Sequence, residues 1–201
     1  MTPATIGVVL AGGQARRMGG GDKALLTVGG ETVLARILRV ITPQLSAIVL
    51  NANGDAGRFA AYGLPVVPDD VPDQPGPLAG VLAGMEWAAR HHPAATWIAS
   101  LPGDAPFLPA DLVSRLHAGR GTAQIACAAR DGRTHNVVAL WSVALRQDLR
   151  QALGGGLRKV GDYQRRQGAV AVDWEADGPD PFTNLNHPDD LAEANRLALK
   201  S

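Results

Sequence analysis

The chain has 201 residues, 46% hydrophobic and 19% charged, which is enough apolar material for one sizeable core. Nineteen Lys and Arg balance nineteen Asp and Glu, so the chain lacks the basic excess of a general nucleic-acid binder and the charge imbalance of a disordered segment. Cys127 is the single cysteine, which excludes an internal disulfide and a cysteine-based zinc cluster and fits a reducing compartment.

The opening residues, Met1-Thr2-Pro3-Ala4-Thr5, have neither the charge nor the apolar stretch of a secretory signal. No run approaches the roughly 20 apolar residues of a membrane span. A cytoplasmic protein with no membrane partner is expected. Thr5 to Leu10 is β-branched and apolar and reads as a buried parallel strand. A glycine-rich loop follows, from Ala11 to Lys23. Val33, Leu34, Ile37, Leu38 and Ile41 recur at helical spacing, with Thr32 as cap and Pro43 as stop. Strands are expected at Ala47 to Asn51, Pro65 to Pro68 and Thr96 to Leu101. Between the last two, Ala79 to His91 predicts a helix with Val81, Leu82, Met85 and Ala89 inward.

Gln124 to Ala129 and Asn136 to Trp141 flank Asp131-Gly132, a hairpin signal. Helices are expected at Ala144 to Leu153, Arg158 to Gln167 and Pro188 to Leu199, with a late strand at Val170 to Trp174. Trp87, Trp97, Trp141 and Trp174 read as core. The alternation of strand and helix specifies an α/β fold with three layers, Rossmann-like, on a mostly parallel sheet with an antiparallel insert. One domain, residues 1–201, is expected.

Ligands of open α/β sheets bind outside the carboxyl ends of the strands. Those ends carry Leu10-Ala11-Gly12-Gly13, Asn51, Asp69 and Gly103-Asp104. The first loop has glycines whose N–H groups can face phosphate oxygens, and Arg16, Arg17 and Lys23 supply positive charge. It has no Gly-Lys-Ser/Thr and no G-x-G-x-x-G, so it is neither a Walker A loop nor a dinucleotide fingerprint. A flexible turn with solvated cations is the plainer alternative. Asp104 suits a hard cation shared with substrate phosphates, or a turn that bonds its own backbone. Asp69 and Asn51 can hydrogen-bond a nucleotide or simply end their strands. His91, His92 and His117 fall at helix ends, and His135 precedes a strand. No histidine pair has metal-ligand spacing, and no serine lies in a nucleophile elbow.

Read together, Gly7-Val8-Val9-Leu10-Ala11-Gly12-Gly13, Ala15-Arg16-Arg17-Met18-Gly19-Gly20 and Asp22-Lys23 resemble the first loop of nucleotidyltransferases. Asn51-Ala52-Asn53, Gly76-Pro77-Leu78-Ala79-Gly80, Asp104-Ala105-Pro106 and Asn184-Leu185-Asn186-His187-Pro188 bring the resemblance closer to the molybdenum cofactor guanylyltransferases. It covers nearly the whole chain in order. It implies a nucleotidyltransferase fold and transfer of GMP from GTP to the phosphate of Mo-molybdopterin, with release of pyrophosphate. Carried over by position, Leu10, Ala11 and Gly12 would contact GTP through their backbone and Lys23 would meet its phosphates. Asn51 and Asp69 would bind the nucleotide, Asp104 would bind Mg²⁺, and Asn184 and Asn186 would approach the second substrate or a metal-bound water. The N-terminal half would take GTP and the C-terminal half the pterin. Base choice would lie in loops such as Gln74 to Gly80. The pathway, rather than any residue, adds molybdenum-insertion proteins and molybdoenzyme chaperones as partners. Two departures stand out: His135-Asn136 where the family commonly has His-Pro, and Pro102-Gly103-Asp104 for the usual Pro-Cys-Asp. A sister enzyme that uses CTP or a sugar-phosphate acceptor, and a GTP-binding module without transfer activity, are the alternatives.

Overall fold

The computed structural model describes residues 3–13, 20–71, 76–175 and 178–199. Arg16, Arg17 and the Gln74 end of the expected base-choice loop lie outside them. In chain order come β1 (Thr5–Leu10), the short hairpin β2 (Thr27–Val28) and β3 (Glu31–Thr32), α1 (Val33–Ile41), β4 (Ala47–Asn51) and β5 (Val66–Val67). Then follow α2 (Pro77–His91), β6 (Trp97–Pro102), α3 (Leu112–Gly119), β7 (Ile125–Arg130) and β8 (Arg133–Ser142). The last elements are α4 (Arg146–Gly154), α5 (Val160–Arg166), β9 (Val170–Asp173) and α6 (Pro188–Ala198).

Seven strands form one sheet in the order β5-β4-β1-β6-β8-β7-β9. β8 runs antiparallel to both neighbours, and every other pairing in this sheet is parallel. The expected antiparallel insert is therefore β8, entered through a tight turn in which Asp131 (φ 50°) and Gly132 (φ 73°) both take the left-handed conformation of a primed hairpin. Side-chain alternation along the strands builds two cores. Val9, Leu50 and Leu101 pack with α1, α3 and α6 on one face, while Ile6, Val8, Val49 and Ile98 pack with α2, α4 and α5 on the other. Helices on both faces of a mostly parallel sheet make the expected three layers.

Local chemistry explains the element starts. Thr32 Oγ1 accepts the Ala35 N–H at 3.2 Å and caps α1, whose Val33, Leu34, Ile37 and Ile41 are all buried. α2 starts at Pro77, two residues before the Ala79 expected, because proline at the first helical position forfeits only an N–H that has no helical partner there. Ala88 rather than Ala89 completes its buried stripe with Val81 and Met85. The helix expected from Ala144 opens instead with a 3₁₀ turn, Val143–Leu145, before α4. Trp141 and Trp174 are core residues as expected, but Trp87 and Trp97 are half-buried. Trp87 lies beside the His91 and His92 rings, each with its centroid 5.0 Å away.

The strand order reverses at β1. The chain leaves β1 through α1 to β4 and β5 on one side, then returns through α2 to β6 on the other. A crevice opens at such a switch point, outside the carboxyl ends of the strands. Among the described residues no helix is long and apolar enough to cross a membrane.

Candidate active site

The ends of β1 and β6 are tied directly together. Gly103 N–H donates to the Leu10 carbonyl at 3.0 Å. A side chain on Gly103 would begin 2.8 Å from that carbonyl oxygen, so glycine lets the loop carrying Asp104 lie against the loop after β1. On the other side, Ala11 N–H donates to the Asn51 carbonyl at 2.8 Å. Ala11 is buried and its N–H is committed, whereas Gly12 and Gly13 are exposed to the cleft.

A cleft of about 370 Å³ lies over these ends, lined by Leu10, Gly12, Gly13, Asn51, Asn53, Asp69, Gly76, Pro77, Asp104 and Asn184, among others. Six of the site residues named from sequence line it: Leu10, Gly12, Asn51, Asp69, Asp104 and Asn184. Beside the cleft-lining Asp104, Lys23 Nζ sits 3.0 Å from Asp104 Oδ2 and donates to Asn186 Oδ1 at 2.5 Å. Residues 81 and 163 positions from Lys23 in the chain thus hold its ammonium. The lysine and aspartate side chains are both 16% exposed, open enough to meet a ligand and dry enough for their charges to matter.

The C-terminal segment reaches Lys23 and Asp104 through a chain of specific bonds. Leu185 is buried and its N–H donates to the Asp104 carbonyl at 2.9 Å. Asp190 accepts the N–H groups of Asn186 and His187 at 2.7 and 2.8 Å, closing the N-terminus of α6. Those donors, the Asn186 N–H first, hold its carboxyl below the usual carboxylate range against the opposing effect of burial. α6 then packs back on the β2–β3 hairpin, where Asn195 Oδ1 accepts the Gly29 N–H at 3.0 Å.

The opposite wall is built around Asp69. Its Oδ1 accepts from Asn51 Nδ2 at 3.0 Å and its Oδ2 from Asn53 Nδ2 at 2.8 Å. Its own N–H donates to Asn53 Oδ1 at 2.9 Å. Asn51 is buried, and its Nδ2 also donates to the Val67 carbonyl, so its amide holds the carboxylate in place. Sequence reasoning gave Asn53 no role. Its position in Asn51-Ala52-Asn53, two residues along and on the same strand end as Asn51, was the available signal.

Beyond Pro77, Pro102, Val137 and Asn184, which it shares with the first cleft, lies a second of about 650 Å³. Arg133, Arg158, Lys159 and Arg165 line it, with Asp162 as a carboxylate among them. These cations come from β8, α5 and the segment before α5; three fall within residues 158–165, and Arg133 joins them only in the fold. His135 borders the same cleft. Burial lowers its pKa, while Asp180, whose Oδ2 is 3.1 Å from Nε2, opposes that shift.

Among the described residues no three His, Cys, Asp or Glu side chains converge as a metal cage. The lone carboxylate of Asp104, already beside a cation in the Lys23 ammonium, fits a hard metal that completes its shell with phosphate oxygens and water.

Comparison with known proteins decides the family. The chain is 53% identical over 201 residues to a molybdenum cofactor guanylyltransferase from Rhodopseudomonas palustris (strain BisB5), covering 98% of this chain and 96% of that one. The family model described as the MobA-like NTP transferase domain matches residues 7–169. The chain belongs to the molybdenum cofactor guanylyltransferase family. Its fold is also that of a molybdopterin-guanine dinucleotide biosynthesis protein A from Archaeoglobus fulgidus, at TM-score 0.79 and 21% identity over 98% of this chain and 100% of that one. A Mycobacterium tuberculosis H37Rv protein solved as a complex with manganese superposes at TM-score 0.69 and 22% identity, over 96% of this chain and 98% of that one. Membership makes this guanylyltransferase-family chain a nucleotidyltransferase.

Proposed function

We propose that the chain transfers GMP from GTP to the phosphate of Mo-molybdopterin, yielding the guanine dinucleotide cofactor and pyrophosphate. One observation carries this reading. A chain with near-full-length similarity to a guanylyltransferase places a lysine, a lone carboxylate and a clamped carboxylate around one cleft at the β1–β6 switch point. The chain works as one domain, in which the N-terminal half takes GTP and the basic second cleft takes the anionic pterin.

Guanine presents a ring N–H and an amino group side by side. Asp69, held by Asn51 and Asn53, offers two fixed acceptor oxygens to that pair. Adenine lacks the pair and would forgo those bonds, each worth about 1.5–3 kcal/mol to a charged acceptor. The exposed Gly12 and Gly13 bring main-chain N–H groups to the triphosphate. Lys23 leaves Asp104 and Asn186 for phosphate oxygens when the nucleotide enters.

In the reaction a pterin phosphate oxygen attacks the α-phosphorus of GTP in line. The bond from that phosphorus to the bridging oxygen breaks, and pyrophosphate departs with the electron pair. A phosphate monoester is largely doubly ionised at neutral pH, so the nucleophile needs no general base. The residues act by position and charge: Lys23 offsets the repulsion between two polyanions, and Asn184, at the junction of the clefts, aligns the incoming phosphate. Asp104 would hold the metal, Mg²⁺ in this reading, whose charge would stabilise the α-phosphate and the leaving pyrophosphate.

The test is incubation with Mg²⁺, Mo-molybdopterin and each of the four nucleoside triphosphates in turn, reading product mass and pyrophosphate. GTP alone should give one pyrophosphate per dinucleotide formed. Preference for CTP would replace this reading with that of a cytidylyltransferase, and nucleotide binding without acceptor-dependent pyrophosphate would remove the transferase reading.

A further inference from the structure

The two walls of the nucleotide cleft are joined by a side chain that lines neither. Arg58 lies in a 3₁₀ segment, Ala56–Tyr62, between β4 and β5. Its Nε is 2.8 Å from Asp22 Oδ2, in the residue immediately before Lys23. Its Nη2 donates to the Asn53 carbonyl at 2.7 Å, and its Nη1 donates to the Asp55 carbonyl. The guanidinium rests on the buried Phe59 ring, 4.7 Å from its centroid. Gly54, at φ 82°, turns the 53–55 segment around it, and a side chain there would begin 3.5 Å from Nη1. The guanidinium therefore joins the Asp22-Lys23 end of the phosphate loop, by an ion pair, to Asn53, the residue that clamps Asp69, by a hydrogen bond.

We propose that Arg58 is a positioning residue that sets the distance between the phosphate-binding and base-binding halves of the site. The proposal rests on the reading of this cleft as the GTP site. Each half has its own local bonds. Lys23 N–H donates to the Gly13 carbonyl at 3.0 Å, and Asp69 keeps its two asparagines. The pairing of β1 with β4 and the Ala11 bond to Asn51 fix the halves at the strand ends, but neither set fixes how far the Asp22-Lys23 end of the loop stands from the Asn53 segment. A ligand that spans both gains from a preset separation, because the ordering is complete before it binds. A ligand that touches one half gains nothing. Arg58 also neutralises Asp22, a carboxylate only 16% exposed beside the lysine that receives a polyanion.

The experiment separates the tie from the charge. The Asp22→Ala/Arg58→Ala double variant removes one charge of each sign. Calorimetry compares its binding of guanosine, tripolyphosphate and GTP with that of the wild type, and steady-state kinetics follows KM and kcat. Guanosine and tripolyphosphate should bind within about twofold of wild type. GTP affinity should fall about tenfold, and KM for GTP should rise to match, with kcat at saturating GTP within about twofold. A GTP affinity that falls no further than those of the two pieces, or a drop in kcat with KM unmoved, overturns the proposal. Arg58→Lys serves where the double variant fails to fold. Its single ammonium cannot span a carboxylate and two carbonyls, so the same split should appear in smaller measure, and wild-type binding of GTP by Arg58→Lys would rule out the guanidinium as the tie. Failure of the wild type to bind GTP strikes the site reading and the proposal together, whereas failure confined to the variants strikes the proposal alone.

Discussion

Lys23→Ala should move metal affinity and turnover in opposite directions. The Lys23 ammonium stands 3.0 Å from Asp104 Oδ2, so it occupies the carboxylate a metal would need. At that distance the attraction is roughly 5.5 kcal/mol at an effective dielectric of 20 and about 1.4 kcal/mol in bulk water. Both side chains are 16% exposed in an open cleft, which places the value nearer the lower figure, about 1.5–3 kcal/mol for a charge-assisted hydrogen bond. Removing the competitor should therefore tighten Mg²⁺ or Mn²⁺ binding to the nucleotide-free protein about ten- to a hundredfold, at 1.4 kcal/mol per factor of ten. The same change deletes the phosphate contact and should slow turnover about ten- to a hundredfold. Titration of nucleotide-free wild type and Lys23→Ala with Mn²⁺, by calorimetry or electron spin resonance, reads the first effect, and pyrophosphate release reads the second. Equal or weaker metal binding in a folded Lys23→Ala protein would refute the idea that lysine and metal compete for Asp104. Unchanged turnover would refute the phosphate role.

Asp104→Asn should weaken Mn²⁺ binding and turnover together, because the amide keeps the shape and loses the charge; wild-type metal dependence in this variant would send the search for the metal site elsewhere. Gly103→Ala should cost about 1–3 kcal/mol in denaturant unfolding and slow turnover, since the new methyl would begin 2.8 Å from the Leu10 carbonyl oxygen and push the Asp104 loop off β1. Acid should destabilise the fold through His117, whose Nε2 lies 2.8 Å from Thr5 Oγ1 and whose pKa burial, aided by the Arg120 charge, pushes down from 6.5 to about 4. Between those values the unfolded chain binds the extra proton, so this contribution is full above pH 6.5 and is lost as pH falls towards 4. His117→Asn should flatten the dependence of Tm on pH in that window, and an unchanged slope would count against it.

Local order in this chain was largely legible without coordinates. The β-branched run Thr5 to Leu10, the Thr32 cap, the Asp131-Gly132 turn and Pro188 each act through bonds to near neighbours, so their effect is written in a few adjacent residues. The strand-end rule then placed Leu10, Gly12, Asn51, Asp69 and Asp104 on one cleft before any distance was known. The tertiary structure decided what short-range pattern cannot carry. Hydrophobic burial is non-directional, so it folded α6 back against the β2–β3 hairpin and brought Asn186 to Lys23 across 163 positions. Parallel pairing of β4 with β5 brought Asp69 to Asn51 and Asn53, turning three separate polar residues into one clamped carboxylate. The same packing spent the Ala11 N–H on Asn51 and left Gly12 and Gly13 facing the cleft. Arg58 had no signature at all, because its three partners, Asp22 and the carbonyls of Asn53 and Asp55, become a single site only when the phosphate loop and the β4–β5 connection lie side by side.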